Sequence, residues 1–114
     1  VFGIEGGHAA GQQLIDAGAT GIVCGSDLMA LGVIRAAAER GLDVPGDLSV
    51  VGFDDAGPWQ YLQPPLTTSR QPIEAMTAAA VELLRAPPGS HLRARRFPAE
   101  LVVRGTTGPR LPAT

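Results

Sequence analysis

Two short apolar runs, set either side of a helix-forming segment, constrain this chain more than any other feature. Thr20 to Cys24 reads as a brief buried strand after Gly18, and Leu48 to Phe53 is apolar apart from Ser49 and Gly52. Between them, Asp27 to Arg40 is rich in Ala and Leu. Ser26 or Asp27 can cap its start, Gly41 is placed to stop it, and Val44-Pro45-Gly46-Asp47 makes a turn. Strand, helix and strand in this order predict a right-handed crossover within a parallel sheet. Strands apolar on both sides predict helices on both faces of it.

The flanking segments extend the alternation. A first helix is expected from Gly6 to Ala17, with Gly7, Gly11, Leu14, Ile15 and Gly18 on one side. Glycine weakens a helix by propensity, so close packing has to compensate. Asp54 to Pro65 reads as a loop with one helical turn, and Leu66 to Arg70 as a short extended segment. Pro72 suits a first helical position. Ile73, Met76, Thr77, Ala80, Leu83 and Leu84 then form a stripe to about Arg85. After Ala86-Pro87-Pro88-Gly89, short strands are expected at Arg93 to Phe97 and Glu100 to Arg104, followed by a tail from Gly108.

Composition narrows the function. The 114 residues suit at most one small domain, with a formal net charge of −2 and nine basic residues that are all Arg. That balance argues against the chain itself gripping phosphates. The local cluster Arg93, Arg95 and Arg96 reads as the exposed side of an edge strand. The single cysteine, Cys24, excludes an internal disulfide and reads as a small buried residue. It lacks zinc-ligand spacing to His8 and His91, which are expected to face solvent. No apolar stretch reaches spanning length and no signal peptide is visible. The opening Val1-Phe2-Gly3, without an initiator Met, reads as the interior of a longer chain.

In an open parallel sheet, ligands bind beyond the carboxyl ends of the strands. That rule selects Gly25-Ser26-Asp27 after the first strand and Asp54-Asp55 after the second. One hydroxyl and up to three carboxylates suit a neutral polyhydroxylated ligand, because carboxylates accept directed hydrogen bonds from its hydroxyls. Each has a plainer reading: Ser26 and Asp27 as helix caps, and Asp55-Ala56-Gly57 as a turn. Asp54 ends a buried strand directly. Enzyme chemistry finds little support. The glycines from Gly3 to Gly11 miss the dinucleotide spacing, and neither a P-loop nor a nucleophile elbow is present. Apolar residues surround the Asp27–Arg40 helix almost completely, which predicts a second buried contact beyond the sheet. A subunit interface is one candidate, and the tolerance of Ala for exposure is the alternative.

Several blocks resemble the LacI/GalR family of regulators: Ser26-Asp27-Leu28-Met29-Ala30-Leu31-Gly32, Gly41 through Asp55, Pro64-Pro65-Leu66-Thr67-Thr68, and Glu100-Leu101-Val102-Val103-Arg104. They follow the family's order and approximate spacing through nearly the whole chain. The resemblance implies a fragment of an α/β, periplasmic-binding-protein-like (type I) fold with a Rossmann-like parallel-sheet lobe. Residues 1–70 would belong to the C-terminal lobe, 71–91 to a crossover helix of the N-terminal lobe, 92–107 to terminal strands and 108–114 to a tail. It implies a cytoplasmic, homodimeric transcriptional regulator that binds a small effector, expected to be a sugar. Operator DNA would be reached only through a separate N-terminal helix-turn-helix domain. No enzyme activity, cofactor, metal or membrane is implied. The alternative is a periplasmic sugar-binding protein of a transporter. By the same resemblance, Asp54 is the cleft aspartate, Ser26 stands where the family usually has Asn, and Phe2 packs on the ligand's apolar face. Asp27 caps or supports the site, and Gln71 lies at the crossover and lines the cleft. Leu28, Leu31, Ile34 and Arg35 fall on the dimer-forming helix face.

Overall fold

The two apolar runs pair side by side. In the computed structural model, which describes residues 3–89 and 94–110, helix α1 (Ile4–Asp16) leads into strand β1 (Gly21–Val23). Helix α2 (Asp27–Glu39) then crosses to β2 (Ser49–Asp54). A single 3-10 turn, Trp59–Tyr61, precedes β3 (Thr67–Arg70), which is followed by helix α3 (Ile73–Arg85) and β4 (Glu100–Val102). The sheet order is β1-β2-β3-β4, with the first three strands parallel and β4 antiparallel to β3.

Local chemistry sets the ends of α2. Ser26 is its N-cap, and its hydroxyl accepts the Met29 amide at 3.2 Å. Gly41 takes φ +69, and the Leu42 amide returns to the Ala37 carbonyl at 2.9 Å. That left-handed close is the one glycine performs at least cost.

The core lies between α2 and the sheet and consists of small and aliphatic side chains. Ile22, Cys24 and Val50 meet Ala30, Val33 and Ala37 there, with Leu48 and Leu66 fully buried beside them. Among the described residues helices cover only one sheet face, where the sequence pattern leads to the expectation of helices on both. Val23, Phe53 and Leu101 remain exposed on the other face, Val23 by 81%. The reason is topological. The β2–β3 connection supplies only a 3-10 turn, which is too short to cover a face.

The surplus apolar surface of α2 meets α1. Gly7, Gly11 and Gly32 bring the two helix backbones together: a Cβ at Gly7 would strike the Met29 carbonyl, and one at Gly32 the Ile4 carbonyl. The second buried contact predicted for α2 is therefore largely intramolecular. Ile34 also packs partly against the core. Leu28, at 45% exposed, and Arg35 stay outside, with Leu31 half-buried between them.

Further along, two expectations change. Residues 94–97 form no strand, and Arg93 and His91 lie outside the described residues. The Arg-rich run has no apolar face to pair, so Arg95 reaches Glu82 on α3 at 3.3 Å instead. Only Glu100–Val102 adds to the edge of β3. Beyond it, Thr106 is fully buried and plugs the gap between β2 and β3. Its hydroxyl donates to the Val50 carbonyl at 2.7 Å and accepts the Thr67 amide at 2.9 Å. The expected tail begins docked, since the Gly108 amide donates to Ser49 Oγ at 3.0 Å.

Helix α3 buries only Ala79, while Ile73 and Leu84 on its apolar stripe stay open to solvent. The molecule measures 60 × 27 × 25 Å, with a radius of gyration of 17.7 Å. A compact chain of this length would have a radius of about 13 Å. The helix stands off the body as an arm.

The helix contact gives a direct test. Gly32→Ala should lower stability by about 1–3 kcal/mol in denaturant unfolding, because the added carbon meets backbone. Gly11→Ala should cost less, since its nearest obstacles are Val33 Cα at 3.1 Å and Cγ2 at 3.2 Å. Equal stability of Gly32→Ala and the unmodified protein would contradict this packing.

Candidate functional site

Parallel strands deliver their carboxyl ends to one edge, so the loops after β1 and β2 emerge as neighbours. Ser26 and Asp27 follow β1, and Asp54 and Asp55 close β2. Ser26 and Asp54 border the same small cavity of about 150 Å³, walled by Leu28, Phe53 and Trp59. Asp54 also borders a larger cavity of about 510 Å³, which runs past Arg70 and Gln71 to the first turn of α3. The two predicted loops thus converge, and Asp54 lies where the cavities meet.

The backbone at this point is unusual. Asp54 has φ +109 and Asp55 φ +57, two successive side-chain-bearing residues in a region that normally favours glycine. Such conformations persist where surrounding bonds over-determine them, and they concentrate at ligand clamps and switches.

Asp27 and Asp55 supply those bonds. Asp27 is 4% exposed; its Oδ1 accepts Thr68 Oγ1 at 2.6 Å and its Oδ2 accepts the Asp55 amide at 2.8 Å. Asp27 was expected among the ligand-facing residues as well as in a supporting role. It borders the small cavity, yet both oxygens are engaged within the fold, and support is the role its geometry describes. The Asp55 carboxylate receives Arg104 through Nη1 at 2.9 Å and Nη2 at 3.0 Å, and Arg70 Nε at 2.9 Å. Arg104 Nη1 donates also to the Leu66 carbonyl at 2.9 Å. One carboxylate therefore clamps the end of β3 to the segment leaving β4.

Gln71, the first residue after β3, donates from its side-chain amide to Asp54 Oδ1 and lies on the wall of the larger cavity. Phe2 lies outside the described residues. Elsewhere, His8 is partly covered and bonded to Glu39, and burial pushes the Cys24 thiol up to about 11. A thiol so raised stays protonated at neutral pH. Among the described residues, no group of three His, Cys, Asp or Glu side chains could hold a metal ion, and no helix is long and apolar enough to cross a membrane.

Sequence reasoning placed Asp55 at this edge but missed its clamp role, and it assigned no site role to Arg104 or Trp59. Asp55 read as a turn residue, because the arginines that pair with it lie 15 and 49 positions away. An acidic doublet ending a buried strand, with an Arg closing each of the following two extended segments, was the available signal. Trp59 walls the small cavity from the 3-10 turn, and its indole nitrogen is buried without a hydrogen-bond partner among the described residues.

Comparison with known proteins places this edge in context. Residues 4–107 match the family model described as a periplasmic binding protein-like domain. The chain is 56% identical, over 98% of its length and 33% of the relative's, to an uncharacterised HTH-type transcriptional regulator in the aml 5' region of Streptomyces limosus. It superposes on a LacI family transcriptional regulator from Enterococcus faecium with bound ribose at TM-score 0.84 and 32% identity, covering 95% of this chain and 41% of that one. It also matches the lac repressor dimer bound to operator and the anti-inducer ONPF at TM-score 0.82 and 35% identity, covering 92% and 38%. The chain spans about a third of the length of the curated relatives it matches.

The clamp predicts a pH dependence. Hydrogen bonds from Arg104, and then from Arg70, hold the Asp55 carboxyl below its ordinary value, against desolvation that raises it. The folded state then binds fewer protons than the unfolded state as the group titrates. The stability from this carboxylate is complete above about pH 4, its unfolded value, and is lost as pH falls through the lower folded value. Asp55→Asn should cost about 3 kcal/mol at pH 7, since it leaves Arg104 without its partner. Unfolding curves of the two proteins should converge as pH falls below about 4. A difference that stayed constant with pH would contradict the assignment.

Proposed function

Because the chain belongs to the periplasmic-binding-protein-like domain family, in its LacI-type transcriptional-regulator branch, we propose that it forms the effector-binding and dimerising part of a cytoplasmic, DNA-binding transcriptional regulator. The observation that carries this reading is the convergence of Ser26 and Asp54 on one cavity at the carboxyl edge of parallel strands. The effector is a small neutral polyhydroxylated molecule. The ribose in the Enterococcus faecium structure supports a sugar.

The chemistry fits that class. Asp54 accepts hydrogen bonds from ligand hydroxyls, and charge assistance makes such bonds strong. Ser26, a shorter group than the Asn usual at this place in the family, both accepts and donates. Phe53 and Trp59 offer aromatic surface to the apolar faces of a sugar ring. Nothing in the arrangement requires bond-making. Its work is differential binding, which biases two arrangements of the domain.

In this reading the body up to Arg70 and strand β4 form one lobe, and α3 belongs to the other. The exposure of Ile73 and Leu84 on α3 supports that division. The dimer contact uses the solvent side of α2 at Leu28, Leu31 and Arg35, with Ile34 contributing mainly to the core. That the matched lac repressor structure is a dimer supports a dimeric reading. Operator DNA is reached through a separate helix-turn-helix domain. The helix-turn-helix naming of the relatives favours this role over that of a transporter-associated binding protein.

Two measurements test the reading on the full-length protein. A thermal-shift screen of pentoses, hexoses and disaccharides should identify a ligand. Asp54→Ala should weaken its binding about 10- to 100-fold while leaving operator affinity in place. Unchanged ligand-dependent release from DNA would refute the site. Leu28→Glu should shift sedimentation from dimer to monomer. A persistent dimer would remove this face from the interface.

A further inference from the structure

We propose that Trp59 is a hydrogen-bonding specificity residue of the effector cavity: its indole N–H, buried without a partner beside Gly57, donates to an effector hydroxyl whose own proton goes to Asp54. The proposal rests on the effector reading above and gives Trp59 a directional role beyond the aromatic surface it offers there.

The walls of the small cavity are short of donors. Asp54 ends in a carboxylate, which only accepts. The Ser26 oxygen already accepts the Met29 amide, and Asp27 is committed to Thr68 and Asp55. Leu28, Phe53 and Ala56 carry no polar side-chain atom, so Trp59 supplies the one side-chain N–H among the described lining residues. A hydroxyl that donates to Asp54 keeps two acceptor lone pairs, and chains of such bonds strengthen one another. An indole N–H is a donor only and fits that need.

The indole ring is held, but its nitrogen is not satisfied. Trp59 packs against the core, and its carbonyl accepts the Leu66 amide at 3.1 Å, just before β3. Nε1 is sealed from solvent and has no hydrogen-bond partner among the described residues. A buried donor in that state destabilises the ligand-free fold. Gly57 lies against it: a Cβ there would stand 2.9 Å from Nε1 and 3.2 Å from Cε2. Gly57 does not take a positive φ, so the glycine here serves space and not backbone conformation.

The cover over the nitrogen is a short strap. Asp55 on one side is fixed by Asp27 and two arginines, and Trp59 on the other is tied to Leu66. Ala56 and Gly57 between them are exposed and make no hydrogen bond among the described residues. Ala56 also borders both cavities. A small shift of this strap therefore opens the N–H to the cavity without breaking a hydrogen bond, and an effector oxygen takes the place that Gly57 leaves.

The decisive variant deletes the N–H and keeps the shape. In the full-length protein, Trp59→benzothienylalanine puts sulfur in place of the N–H in a bicyclic ring of nearly the same size. Without sugar, loss of an unsatisfied buried donor should raise the melting temperature by about 2–4 °C. An equal or lower melting temperature means that the N–H already has a partner in the fold, and it overturns the proposal whatever the effector is. Ribose, glucose, maltose and lactose are then titrated by calorimetry. Those that bind the unmodified protein should bind the variant about tenfold more weakly. Equal affinity overturns the donor role and leaves the effector reading standing, since Asp54→Ala tests that reading separately. Indole emission from position 59, taken as the difference between the unmodified protein and Trp59→Phe, should shift on saturation with the sugar that binds. An unmoved spectrum also overturns the proposal. If none of the four sugars binds, the donor role falls together with the sugar reading.

Discussion

A carboxylate can be sealed from water only if its oxygens find donors, and Asp27 meets that condition by joining three separate parts of the chain. It opens α2, takes the Thr68 hydroxyl from β3 on one oxygen and takes the Asp55 amide beyond β2 on the other. The bonds do more than satisfy a charge. They fix the unusual backbone of Asp54 and Asp55, whose positive φ angles would otherwise relax. Gly52 is part of the same arrangement, because a Cβ there would run into the Asp27 carboxylate. The Asp27 contact thus sets where Asp54 points and where Asp55 can reach its two arginines.

Much of this body was legible before any coordinates. The crossover, the parallel pairing and the capped α2 follow from apolar run length and from Ser26 and Gly41, which are local signals. The convergence of Ser26 and Asp54 followed from a general property of parallel sheets. What escaped notice was non-local. Asp55 looked like a turn residue because nothing within ten positions pairs with it, and Arg104 closed an expected strand whose register could not be read from pattern. The bare sheet face escaped for another reason. Apolar residues on both sides of a strand report that both faces seek cover, but not which segment supplies it. The surplus apolar surface of α2 carried the same ambiguity, and α1 took most of it through glycines whose propensity argued against a helix.

The contrast between body and arm has a functional consequence in the proposed reading. A ligand shifts a conformational equilibrium only by as much as it prefers one state over the other. A site built wholly on the sheet edge, from Ser26, Asp54 and the Trp59 wall, would bind without signalling, since every group would move with the same body. Differential affinity requires contacts on both sides of the anchor formed by Asp55, Arg70 and Arg104. The larger cavity meets that requirement, for its walls pass from Asp54 to the first turn of α3.

The same reasoning explains why the clamp and the cleft use adjacent residues. Asp54 and Asp55 carry the same chemical group, yet one is committed to two arginines and the other faces the cavities. They stand next to each other on a turn in which both take positive φ, so the group that faces the cavities is one peptide unit from the group that holds the two arginines. Were Asp54 held by arginines as Asp55 is, a neutral ligand would have to displace a charge-paired, bidentate contact, which its hydroxyls are too weak to do. Were Asp55 held only by an amide, as Asp54 is, the pivot would loosen whenever the ligand bound. The two neighbouring carboxylates thus divide the labour: one closes the joint between β3 and the segment beyond β4, and the other faces the cavities.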